Sequence, residues 1–499
     1  MNTYPEYMDD DYKRIEDKQI ISSLLFGNRF KADQTLYEYL IEFLLVFASP
    51  KDANLEDGKM HFHNNDEGSK LSYWVMPRMA LRRFVFYDKS RKKGTIPQDE
   101  KAYKEMIDIL VKKMDDVNDE TAREYIESIQ DLFHGYAVVI KNRFWGAQAL
   151  MPLCPEFILC GADPNEKYRR ANVDFTNKPE TVDSSFSFDR RNFLARGGEL
   201  YYLHLLQALD KDKNAKTALE DLLNDLVGVQ CKKISDLACF IQDSWEEQYC
   251  MDKQKLSQKL SLSFIPQDAY GDCGVYSVKE LVNYLSCKLH PINRMDVLAK
   301  GVMLQIMRMM SYRVSTYLRG EKPIWIIDMR NESSDTVKKL ASDSYKKMEN
   351  DFMTALNKMA RDIHIDDDNI MKVVRDARVD SFDIFKSKGK EMQCIIPVNG
   401  PFERMSLSED VIRFLVLAIV KPGEKMTLNM FLSKLFEHYG IVIGPEEYKK
   451  TLNGKGDFSL ANDFSYNVDA FQEFLKSTGF LRELSDATSI VVNPYSSIV

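Results

Sequence analysis

Three groups of side chains in this sequence have types and spacings that could act on a ligand. The first is a basic–aromatic run: Arg78, Arg82, Arg83, Lys89, Arg91, Lys92 and Lys93 set around Phe84, Phe86 and Tyr87. Cations interleaved with rings can neutralise phosphates and stack bases. The same pattern arises where a buried apolar face ends in a solvated turn, here Ser90-Arg-Lys-Lys-Gly94, and that plainer reading is preferred. The second group is Arg190, Arg191 and Arg196 ahead of Gly197-Gly198. They could cradle an anion at the start of the following helix or pair with acids of a neighbouring element, and the two readings stand equal. The third is the string Ile265-Pro-Gln-Asp-Ala-Tyr-Gly-Asp-Cys-Gly-Val-Tyr276, the most catalytic-looking stretch of the chain.

Within that string, Gln267 followed by Asp272-Cys273-Gly274-Val275 resembles the nucleophile motif of the ubiquitin-like-protein-specific cysteine proteases. The resemblance implies Cys273 as a thiolate at a helix start and Gln267 as an oxyanion donor. Both roles are physically coherent, since a helix N-terminus lowers a thiol pKa and an amide can stabilise developing negative charge. That family carries its histidine beside a tryptophan on a strand. Here the one histidine at a comparable distance is His204, inside the helical run Leu200–Leu209. Without a histidine base the thiol stays largely protonated, so protease is the third-ranked function.

Other sets are thinner. His61-Phe-His63, with Asp66 and Glu67, has chelating types but no third histidine nearby. Asp366-Asp-Asp368 after His364 lacks the glycine and terminal glutamate of a calcium loop and reads as a helix cap. Asp328-Met-Arg330 sits at a strand end without the acid-x-lysine pair of a nuclease, so Asp328 reads as a salt-bridged residue at the core edge. The chain has no GxxxxGK[ST], GxGxxG or GxSxG signature, which disfavours P-loop ATPases, dinucleotide enzymes and α/β-hydrolases. No metal and no cofactor are expected.

The elements that must position these groups are mostly helices. Apolar residues at helical spacing predict helices over Lys31–Phe47, two across 99–133, Thr217–Val227, Ile234–Tyr249, Val275–Leu289, Arg294–Leu318 and Ser334–Arg361. Met303, Met307, Met309 and Met310 fall in the longest apolar one; they read as core filling, with a groove for a partner helix as the sharper alternative. Short strands are predicted at Leu71–Met76, Tyr136–Ile140, Phe157–Leu159, Pro323–Arg330 and Gln393–Val398. The polar stretch Gly161–Ser187 and Asn399-Gly-Pro401 mark boundaries. The expected fold class is mostly α (α+β), multi-domain: an N-terminal α+β domain over 1–175, a central helical domain over 186–395 and a winged-helix-like domain over 402–499. The last rests on helices Ser408–Val420, Thr427–Tyr439 and Val468–Thr478, then a hairpin Leu481–Leu484 and Ser489–Val492. A DNA reader needs cations on its third helix; this one offers Asp469, Gln472, Glu473 and Lys476. From Met405 onward acids outnumber bases twelve to nine, which favours protein docking over DNA reading.

With 499 residues, 44% apolar and 29% charged, the chain suits a multi-domain globular protein. A net charge of −8 gives no bulk attraction for polyanions, so nucleic acid would need a local basic patch. Eight scattered cysteines without a C-x-x-C pair suggest reduced thiols, hence a cytoplasmic protein. The acidic start lacks the regions of a signal peptide, and Leu36–Phe47, carrying Glu38 and Glu42, is too short and charged to span a membrane. The segment Phe188–Leu205 and the C-terminal module together resemble accessory subunits of multi-gene bacterial phage-defence systems. That resemblance implies a non-enzymatic scaffold or adaptor with protein partners, beside an ATPase or nuclease. The alternative is a nucleic-acid-binding subunit.

Overall fold

The computed structural model describes residues 2–6, 17–27, 34–51, 60–65, 71–94, 96, 98–139, 143–164, 183, 186–187, 197–251, 253, 257–329, 333–452, 458–485 and 488–498. It is mostly helical, 62% helix and 10% strand, with small sheets. No helix among the described residues is long and apolar enough to cross a membrane.

Local chemistry accounts for the helix ends. Helix α1, Leu36–Ala48, starts in a capping box: Thr35 accepts from the Glu38 amide and Glu38 reaches back to the Thr35 amide at 2.7 Å. Beyond Arg78, α2 takes Met79–Phe86, and α3 takes Asp119–His134 behind an Asn118 cap. Helix α4, Gly197–Leu209, packs on α1 so closely that a Cβ on Gly198 would stand 2.3 Å from the Tyr39 carbonyl oxygen. Glycine is required there by space.

Helix α5 runs Cys273–Leu285, and α6 runs Pro291–Arg319, entered by a proline at its first turn and closed by Gly320 at φ +70°. The methionines of α6 are all fully buried. They fill core and leave no groove open to a partner helix, which corrects the sharper of the two readings. Helix α7, Asp335–Asp362, lies nearby, capped by Ser334.

Long-range pairing sets the strands. Ser72–Val75 forms as expected and pairs antiparallel with Gln258–Ser261, far away in sequence. Trp325–Ile326 pairs parallel with Ile441–Val442, while Ile395–Ile396 and Arg404–Met405 form a small hairpin. Among the described residues the strands predicted at Tyr136–Ile140 and Phe157–Leu159 do not form: Ala137 makes one isolated bridge to Leu150, and Pro155 opens a 3-10 turn through Phe157. The C-terminal segment holds α8 (Glu409–Ile419), a strand Lys425–Thr427, α9 (Leu428–Tyr439), a short helix Pro445–Thr451, α10 (Phe464–Ser477) and a hairpin of Leu481–Ser485 and Thr488–Val492. Lys425–Thr427 adds to the Thr488–Val492 edge, making a three-stranded antiparallel sheet.

Residues from all three expected segments share one buried apolar cluster that extends from Tyr4 to Val491. Across the 395–402 boundary, Tyr284 of α5 packs on Phe414 of α8 with ring centroids 5.3 Å apart. Gly301 of α6 is a glycine because a Cβ there would meet the Phe414 ring.

Candidate functional site

The catalytic-looking cysteine opens α5, and the structure surrounds it with a polar cluster at the junction of α4, α5, α6 and α9. The centre of that cluster is Glu280, a fully buried carboxylate. Its Oε1 accepts from Arg308 Nη1 at 2.8 Å and hydrogen-bonds His438 Nδ1 at 2.7 Å. Its Oε2 accepts from Gln305 Nε2 and the Tyr439 hydroxyl, each at 2.6 Å. Burial by itself would raise this carboxyl, but the Arg308 charge and the His438 hydrogen bond hold it down at about 2. Arg308 extends the cluster by donating to Ser277 Oγ at 2.7 Å and lying 4.2 Å from the Tyr439 ring centre. His438, the penultimate residue of α9, stacks on Tyr276 at 4.1 Å.

The structure brings His204 beside Cys273, as the protease reading requires, but not as a base. The His204 ring is buried, bonds Ser277 Oγ at 3.1 Å and also bonds the Cys273 backbone. Burial and the nearby Arg308 charge push the imidazole down to about 3. Burial pushes the Cys273 thiol up to about 11, outweighing the Arg308 attraction. At neutral pH about one thiol in ten thousand would be ionised. Gln267 is exposed just past strand Ile265–Pro266, its backbone N–H donating to the Asn2 carbonyl at 2.9 Å. The opening that Cys273 lines with Asp272, Tyr276, Arg308, Lys322 and His438 is ≈ 10 Å³. That is room for about one water.

The basic run divides. Arg82 is buried, and its guanidinium donates to the carbonyls of Gln148 and Cys160. Arg83 is fully buried between Trp145 and Trp245, at 4.9 and 5.5 Å, with Asp183 at 2.6 Å and Asp99 at 3.5 Å. These two arginines are part of the interior and cannot meet a phosphate, because α2 is buried on every face. Arg78 donates to the Pro155 carbonyl, while Arg91, Lys92 and Lys93 are exposed. Arg190, Arg191 and Arg196 lie outside the described residues. At the helix start they precede, the Gly198 amide donates to Glu42 Oε2 at 2.8 Å. A carboxylate of α1 therefore takes the position an anion would.

His63 is buried with Nε2 on the Ser72 carbonyl (2.8 Å) and Nδ1 on the Tyr202 hydroxyl (2.7 Å). Burial drives it down to about 3, while Asp66, Glu67 and Arg330 lie outside the described residues. Among the described residues no group of three or more ligand types is placed to hold a metal, His61 included. Asp366 takes the N-cap position of helix Asp367–Val379 but its side chain makes no capping hydrogen bond, so the capping reading holds for position alone; His364, just beyond α7, lies at φ +59°. Asp328 is fully buried and accepts from Arg404 Nε and Ser333 Oγ, each at 2.6 Å, the core-edge ion pair expected of it. Asn467 of α10 joins the same knot, donating to the Ile327 and Ile443 carbonyls at 2.9 and 3.0 Å.

Glu280, Arg308 and His438 escaped the sequence reading. A signal existed for two of them: Gln305 and Arg308 are polar residues three apart inside the apolar stretch Met303–Met310. Burial of such a pair requires a polar partner from elsewhere. Compared with known proteins, the chain matches no family description, no curated protein and no solved structure.

Proposed function

We propose that this chain is a non-enzymatic scaffold or adaptor subunit of a multi-protein assembly, of the kind that works beside an ATPase or nuclease in bacterial phage defence. The observation that carries this reading is the use made of its reactive groups. Burial holds the Cys273 thiol at about 11 and the His204 imidazole at about 3, while Arg308 and His438 hold the Glu280 carboxylate at about 2 against its burial. Glu280 and His204 between them link four helices, and none of the three groups is poised for proton transfer at neutral pH.

Attachment is supported on α3. Tyr125 and Leu132 are 50% and 46% exposed and share one face with Ile129, at the spacing of an apolar seam. Glu120, Glu124 and Glu127 are exposed on the same helix, so the matching surface is an apolar helix face with basic flanks. At the other end of the chain, α8, the strand Lys425–Thr427, α9, α10 and the hairpin supply the parts of a winged-helix-like reading of 402–499, with strand Ile441–Val442 and the short helix Pro445–Thr451 inserted between α9 and α10. Asp469 and Glu473 are exposed on α10, and Lys476 is engaged by Glu483 at 3.2 Å, which favours docking to protein over DNA.

Co-expression with the products of neighbouring genes tests the proposal. A stable complex that is lost in Tyr125→Arg/Leu132→Arg, with an unchanged melting temperature, is the expected result. Peptide or nucleotide turnover by the isolated chain, abolished by Cys273→Ala, would overturn it. The second reading, a nucleic-acid-binding subunit, retains the exposed Arg91, Lys92 and Lys93. Loss of oligonucleotide binding on changing these three to glutamine would favour it.

A further inference from the structure

We infer that the outer ridge of α7, with Phe402 beside it, is a binding surface for single-stranded nucleic acid. At 3.6 residues per turn, Lys339, Lys346, Lys347 and Arg361 fall within an arc of about 100°. All four are exposed, and none has a carboxylate within salt-bridge distance among the described residues. Lys339 to Arg361 spans about 33 Å of helix axis, which accommodates a short run of nucleotides.

Two of the acids around this ridge, Glu349 and Asp351, are paired with arginines. Glu349 binds Arg378 at 3.1 Å, Asp351 is gripped by both Arg319 nitrogens at 2.7 Å, and Asp362 accepts from the Tyr317 hydroxyl. Asp343 alone on the ridge is an unpaired acid among the described residues. The chain as a whole is acidic, so this local excess of cations is a property of the placement and is hidden in the net charge.

The ring supplies the second half of the surface. Phe402 is 70% exposed at the tip of the hairpin Ile395–Ile396 and Arg404–Met405, and Lys346 Nζ stands 5.9 Å from its centre. Its backbone lies at φ +64°, a region L side chains disfavour. The hairpin base is fixed there: Arg404 bonds buried Asp328, and Glu403 bridges Lys386 and Lys390 at 2.7 and 2.5 Å. An aromatic face held in solvent beside uncompensated ammonium groups offers a base something to stack on and its phosphates something to pair with. This surface goes beyond the adaptor reading and is independent of the Arg91–Lys93 turn.

Fluorescence anisotropy of the full chain with labelled twelve-nucleotide DNA and RNA strands tests it. Four phosphate contacts predict that affinity falls about 50-fold between 50 and 200 mM salt. Lys346→Gln/Lys347→Gln should roughly halve the slope of that salt dependence, and Phe402→Ala should weaken binding roughly 5- to 100-fold. All three side chains are exposed, so melting curves should not move. The DNA and RNA arms show which strand is preferred. Absence of binding at 50 mM salt overturns the inference, as does binding indifferent to both variants. Equal binding of a duplex, or of poly-glutamate, unaffected by Phe402→Ala would also overturn it.

Discussion

Two buried ion clusters in this molecule solve the same electrostatic problem in opposite ways. Around Glu280, one carboxylate collects four partners from α6 and α9, and the charge is held at about 2. Around Arg83, one guanidinium serves two carboxylates, Asp183 at 2.6 Å and Asp99 at 3.5 Å. Burial and the neighbouring Asp183 charge push Asp99 up to about 6 against the pull of Arg83. What decides the sign is the number of donors per carboxylate, since both sites are buried. The first cluster joins the central helices to the C-terminal module; the second ties α2 to Asp183 and Asp99.

Removing a charge from each site should separate them. Glu280→Ala leaves Arg308 buried without its counter-charge and should cost about 3–5 kcal/mol in urea unfolding. Arg83→Met should cost less, about 2–3 kcal/mol, because Asp99 already accepts a proton readily and the methionine side chain still packs between the tryptophans. Equal losses at the two sites would break the comparison.

The pH dependence sharpens it. Glu280 titrates at about 2 when folded against 4.5 for a free glutamate, so its contribution is complete above pH 4.5 and disappears as pH falls toward 2. Asp99 titrates at about 6 against 3.8, so the folded chain holds that proton more tightly, and stability falls as pH rises from 3.8 to 6. Each window is worth on the order of 3 kcal/mol. Thermal melts of Asp99→Asn should lose the decline between pH 4 and 6, and those of Glu280→Gln the collapse below 4.5. If Asp99→Asn leaves the profile unchanged, the two clusters do not differ in the way described.

The smallest effect concerns the cysteine beside the first cluster. Iodoacetamide at pH 7 should modify the exposed Cys250 well ahead of Cys273, read by peptide mass spectrometry. Preferential labelling of Cys273 would show that the surroundings of Glu280 activate the thiol.

Much of the helical frame was legible. The spans expected for α6 and α7 fall within three residues of those observed, because apolar period, the Ser334 cap, Pro291 and Gly320 act within a turn of the residues they govern. The core-edge role of Asp328 was legible too, since a lone acid at a strand end without a metal-binding partner must find a cation. The predicted strands fared unevenly. Ser72–Val75 needed Gln258–Ser261 to exist, and no local signal announces a partner so far along the chain.

The sequence by itself determined where helices start and stop, because capping, proline and glycine chemistry are settled by neighbours in the chain. It also set the candidate residues. Only the tertiary structure decided what those residues do: of the two readings open to the basic run, Arg82 and Arg83 took that of interior pins, His204 became a buried neutral ring, and Glu280, Arg308 and His438 came together from three helices. A side chain's charge state depends on its burial and on the donors around it. Both are properties of packing between distant segments, which spacing along one segment does not encode.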